Sequence, residues 1–83
     1  PSLIAGWRIT TPSTRILDED FDVTFRVDTH IGSRWVVTGE VFDRNSGDPI
    51  GVEVEGEGRT MSAAEGRAWA KVKQMDRKGW RAR

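Results

Sequence analysis

From residue 21 to residue 28 apolar and polar side chains alternate without a break: Phe21, Val23, Phe25 and Val27 against Asp22, Thr24, Arg26 and Asp28. Successive side chains of a β-strand point to opposite faces, so this pattern buries one face and wets the other. It predicts a strand over 21–29. His30-Ile31-Gly32-Ser33 then reads as a hairpin loop. A second strand is expected over 34–43, with Trp35, Val37 and Val41 on one face and Val36 and Phe42 on the other. A strand that is apolar on both sides lies in mid-sheet or meets something on its second face. The run Arg44-Asn45-Ser46-Gly47-Asp48-Pro49 is dense in turn formers. Residues 50–57 alternate again, Ile50, Val52 and Val54 against Glu53, Glu55 and Glu57, and Pro49 is tolerated because it opens the strand. Gly56 and Gly58 read as breakers that hand the chain to a helix.

That helix is expected over 62–78. Ser62-Ala63-Ala64-Glu65 has the form of a capping box. Met61, Ala64, Ala68, Val72 and Met75 follow at spacings of three and four, one narrow helical stripe that should face Phe21, Val23, Phe25, Val27, Val52 and Val54. Gly66 weakens the helix, which suggests that a backbone passes close to it. Gly79 reads as the stop, with Arg77 and Lys78 placed where the helix dipole favours cations. In the segment 1–20, residues 3–11 suit a further strand containing Trp7 and Ile9. Pro12-Ser13-Thr14 reads as a turn, and 15–20 as a loop or helical turn. The fold class is therefore α+β: an antiparallel sheet of three or four strands with one C-terminal helix on one face. The chain reads as a single domain over 1–83, with the sheet over 21–57 and a basic tail over 79–83.

Eighty-three residues bury only a modest core, and no cysteine is present to staple it. The missing cysteines fit a reducing compartment, and no membrane span or signal peptide is expected, so the setting is read as cytoplasmic. The 13 basic and 13 acidic residues cancel. They are unevenly placed: from residue 62 onward seven basic side chains face two acids, a net +5, and the remainder carries −5. The two parts either neutralise each other within the fold or leave a basic helix and tail for an anionic partner.

From Phe21 to Met75 the pattern resembles a double-stranded-RNA-binding domain. That family runs from a three-stranded antiparallel sheet through a Gly-x-Gly-x-Ser segment into a long helix. Gly56-Glu57-Gly58-Arg59-Thr60 is similar to that segment, and Ala64, Ala68 and Val72 to the family's buried helix residues. The resemblance implies the β-β-β-α scaffold. The family's phosphate-clamping lysines are replaced here by Met61, Ser62 and Glu65, its first helix has no counterpart before Phe21, and His30 matches its loop histidine only weakly.

Catalytic chemistry finds little support. His30 is the sole histidine, so a nucleophile–base pair has one place at most, and a loop histidine is ordinarily a surface residue. Asp18, Glu19, Asp20 and Asp22 read as a solvated acidic run. Residues 43–48 look like a calcium loop only superficially, since Val54 stands where the bidentate glutamate belongs. Gly56-Glu57-Gly58 lacks the third glycine of a dinucleotide site. An N-terminal proline serves as a base in tautomerases, but nothing else matches them. The chain is read as a non-catalytic binding module without cofactor or metal. The leading expectation is nucleic-acid binding, by phosphate contacts or to a single strand, through Lys71, Lys73, Arg77, Lys78, Arg81 and Arg83. Trp80 either stacks on bases or folds back to cap the core. The alternative is a protein-interaction or inhibitor-like module, or a homodimer, engaging through Val36 and Phe42 on the sheet's second face.

Overall fold

In the computed structural model, which describes residues 12–82 with the side chains of 81 and 82 excepted, four strands form one antiparallel meander in the order β1-β2-β3-β4. They are β1 (Ser13–Ile16), β2 (Phe21–Ile31), β3 (Arg34–Asp43) and β4 (Pro49–Gly58), followed by α1 (Met61–Lys73) and a 3-10 turn over Lys78–Ala82. Four strands and a helix on one face are the α+β architecture expected. The possible strand over 3–11 lies outside the described residues.

Strand β1 corrects the turn and loop expected over 12–20. It pairs with β2 from Ser13 opposite Phe25 to Ile16 opposite Asp22. All four of its residues are exposed, so it carries no alternating signature. Asp18 makes the following turn, accepting the backbone N–H groups of Asp20 at 2.8 Å and Phe21 at 3.0 Å. This is the local side-chain turn that aspartate favours.

Strand β2 runs two residues beyond the expected end. A bulge at Asp28 breaks the register, so that Val27 faces Val37 but Thr29 faces Val36 and His30 faces Trp35. Such an insertion re-aims the side chains that follow it. The hairpin then closes over Gly32 and Ser33 alone, with Gly32 at φ +58°.

The cross-strand registers put Val23 beside Val41, Phe25 beside Gly39 and Val27 beside Val37. This face carries the core: Phe21, Val23, Phe25, Val37, Val41 and Ile50 are buried with Ala64, Ala68, Val72 and Trp80. Phe25 occupies the space over Gly39, where a β-carbon would stand 2.8 Å from its ring. Ala64, Ala68 and Val72 are wholly buried, as the helical stripe requires, whereas Met61 at the rim is 36% exposed.

Gly56 and Gly58 do not break β4. They lie within it, beneath α1, and a β-carbon on Gly58 would stand 2.8 Å from the Ala64 amide nitrogen. Close approach of the helix backbone is the reason for both glycines. Gly66, by contrast, has open space around it.

The helix begins one residue and ends five residues earlier than expected. Its N-cap is Thr60, whose hydroxyl accepts the Ala63 N–H at 3.0 Å, so the capping box at Ser62 and Glu65 does not form. Its C-cap is Gln74, not Gly79. Asp76 accepts the Lys78 N–H at 3.0 Å, which favours a turn over further helix. The turn brings Trp80 back against Phe21, edge to face, with ring centroids 5.2 Å apart. The segment expected as a basic tail is in part this turn.

Candidate functional site

The helix presents two flanks and a crest. Arg67 lies on the β4 flank, where its Nη1 donates to the Glu57 carbonyl at 2.8 Å, and Lys71 shares a surface depression with Glu55, Gly56 and Glu57. On the other flank Trp69 meets Phe25 edge to face at 6.1 Å, and Lys73 Nζ stands 5.6 Å over the Trp69 ring. The crest between them carries Ser62, Ala63, Gly66 and Ala70, all exposed. Glu65, the sole acid of α1, is drawn aside by β1: Arg15 Nη2 bridges to it at 2.8 Å and the Ser13 hydroxyl donates to it at 3.0 Å. The outward surface of α1 is thus a run of small side chains bordered by Arg67, Lys71 and Lys73.

The seven residues expected to form a nucleic-acid site are not brought together. Lys71, Lys73 and Lys78 are exposed, but Lys71 and Lys73 stand on opposite flanks. Arg77 is bound to Asp18 through a 2.8 Å ion pair, which offsets its charge. Asp18 also holds Arg44, whose Nη1 donates to the Asp18 carbonyl at 3.1 Å. Trp80 is 6% exposed, so its ring caps the core and the stacking role is not open to it in this fold. The Arg81 side chain and Arg83 lie outside the described residues.

Sequence reasoning passed over Arg34, Arg59 and Arg67, which the fold collects around one open groove of about 510 Å³ at the start of α1. They come from β3, the β4–α1 link and the helix. No local spacing links them: Arg59 precedes the N-cap Thr60, and Arg34 lies on β3.

The sheet's second face carries Asp22, Asp28, Glu40, Glu53, Glu55 and Glu57. Arg26 bridges Glu40 at 3.6 Å and Glu53 at 4.0 Å, and Arg34 pairs with Glu57. Val36, between Thr29 and Glu57, is 8% exposed, and Phe42, between Asp22 and Pro49, is half-buried. The large apolar side chains that are exposed, among the described residues, are Ile16, Ile31 and Met61. The segment around Trp7 and Ile9 lies outside the described residues.

His30 stacks on Trp35 with ring centroids 3.4 Å apart, and its Nε2 meets the Gly32 carbonyl at 3.1 Å. Among the described residues there is no group of three metal-ligating side chains, and no helix is long and apolar enough to cross a membrane. Comparison of the chain with protein-family models, curated proteins and solved structures finds no match.

Proposed function

We propose that this domain is a non-catalytic, intracellular module that binds nucleic acid through phosphate contacts from the outer surface of α1. The observation that carries the reading is the composition of that surface: small side chains bordered by Arg67, Lys71 and Lys73, with Glu65 already engaged by Arg15 and Ser13. Small side chains let a rigid polyanion approach the helix closely, and flanking cations meet its phosphates. Away from the Arg34–Glu57 pair at its edge, the opposite face of the sheet is acidic and would repel the same partner.

The likeness to a double-stranded-RNA-binding domain belongs to this reading. The β2-β3-β4-α1 order and the glycine pair beneath α1 accord with it. The segment from Ser13 to Asp20 is strand and turn, not helix, and the positions of the family's lysines hold Met61, Ser62 and Glu65. The contacts are therefore assigned to other cations of the helix and its approach, and little sequence reading is expected of them. The sheet-face alternative needs exposed apolar surface: Val36 offers almost none, Phe42 is half-buried, and Ile16, opposite Asp22, is well exposed there.

The test is fluorescence anisotropy with labelled duplex RNA, duplex DNA and single strands. Binding at low ionic strength that weakens steeply with added salt supports the reading. Absence of binding to every probe at low salt, where electrostatic association is strongest, overturns it.

A further inference from the structure

The groove at the start of α1 is more organised than the rest of the basic surface. Arg34 enters it from β3, Arg59 from the link and Arg67 from α1, with Gly58 and Ser33 also lining it. Among the described residues Glu57 is the one acid in the lining, and with the three arginines it gives the groove a formal +2. Glu57 also fixes two of the three cations. Its carboxylate accepts from Arg34 Nε, and its backbone carbonyl accepts from Arg67 Nη1 at 2.8 Å. Neither contact exhausts a guanidinium, which has five N–H donors. Arg59 is exposed and makes no hydrogen bond or ion pair with the other described residues.

We propose that this groove holds a phosphate group of a nucleic-acid backbone, with Arg34, Arg59 and Arg67 as its ligands and Glu57 as the positioning residue. The inference rests on the nucleic-acid reading and locates its anchoring contact at the N-terminal end of α1. Arginine suits the role because its planar fork can take two phosphate oxygens at once. Holding two forks in place beforehand lowers the entropy lost when the anion arrives. Arg59, with no partner among the described residues, closes on the phosphate from the third side.

The experiment compares wild type, Arg59→Ala, Arg26→Ala and Glu57→Gln in binding to labelled duplex and single-stranded RNA. Arginine Nε resonances are followed in parallel during titration with the RNAs and with inorganic pyrophosphate. Arg59→Ala should weaken RNA binding several-fold and flatten the log–log salt slope, by at most the roughly 0.7–0.9 that a single phosphate contributes. Arg26→Ala removes the same charge from the acidic face and should leave binding unchanged. Glu57→Gln distinguishes a positioning acid from a merely repulsive one. A repulsive acid, once neutralised, would tighten binding; Glu57→Gln should loosen it, with the Arg34 Nε resonance moving in the free protein. RNA binding that is the same in Arg59→Ala and wild type overturns the groove and leaves the nucleic-acid reading standing. Arginine shifts with pyrophosphate but no RNA binding overturn the assignment to nucleic acid and leave a site for a small phosphate compound. Silence with both probes overturns groove and reading together.

Discussion

Gly56 of β4 lies directly beneath Ala68 of α1, so close that a β-carbon on residue 56 would stand 3.1 Å from the Ala68 Cα, with the Ala68 nitrogen nearer still. The obstruction is helix backbone and cannot rotate aside. Gly56→Ala should therefore push α1 off the sheet and destabilise the domain by about 3 kcal/mol, at the upper end of overpacking costs. Thermal unfolding followed by circular dichroism measures this. An unchanged midpoint would mean that the helix does not sit on β4 in the way described.

Gly66, ten residues on, makes the opposite case. It is exposed on the crest of α1, and a β-carbon there meets nothing within 4 Å. Gly66→Ala should stabilise the domain by about 0.5–1 kcal/mol by raising helix propensity. Denaturant titration of the two alanine variants side by side should show midpoints displaced in opposite directions.

Trp80 is a core residue placed outside the main helix. Its ring meets Phe21 edge to face and is 6% exposed. Trp80→Ala should cost about 3 kcal/mol, as for other buried aromatic truncations. At a temperature where the variant is still folded, its nucleic-acid affinity should match wild type. A selective loss of single-strand binding with stability unchanged would restore the stacking role for this ring.

The parts of this fold that were legible in the sequence are those where burial imposes a period. Phe21 to Val27 showed β2 because one face is packed and the other wet, and Ala64, Ala68 and Val72 marked the buried side of α1. Strand β1 was not legible, since Ser13, Thr14, Arg15 and Ile16 are all exposed on an edge and have no buried face to set a period. The helix start was misplaced because Thr60 and Ser62 are both good caps, and tertiary contacts decided between them: Glu65 turned to Arg15 instead of closing a box with Ser62. The glycines at 56 and 58 were visible, but whether a glycine breaks a strand or admits a neighbour depends on what packs above it. The candidate site was hardest to see. Arg34 is 25 residues from Arg59 in the chain and joins it only through the pairing of β3 with β4. The basic count after residue 62 in turn overstated a surface from which Arg77 is withdrawn by Asp18.

The central claim is that the cations bordering the crest of α1 bind phosphates, and its most direct measurement is the salt dependence of RNA binding for wild type and for Lys71→Gln/Lys73→Gln. Both side chains are exposed and neither forms an ion pair with the described residues, so the variant should lose no more than the roughly 0.5–1 kcal/mol of the Lys73 contact over Trp69. Because the variant can no longer neutralise two of the phosphates, the log–log slope should flatten by about 1.4–1.8 and affinity should fall equally for all sequences tested. An identical slope in the two proteins, or no binding by wild type at low salt, would contradict the account.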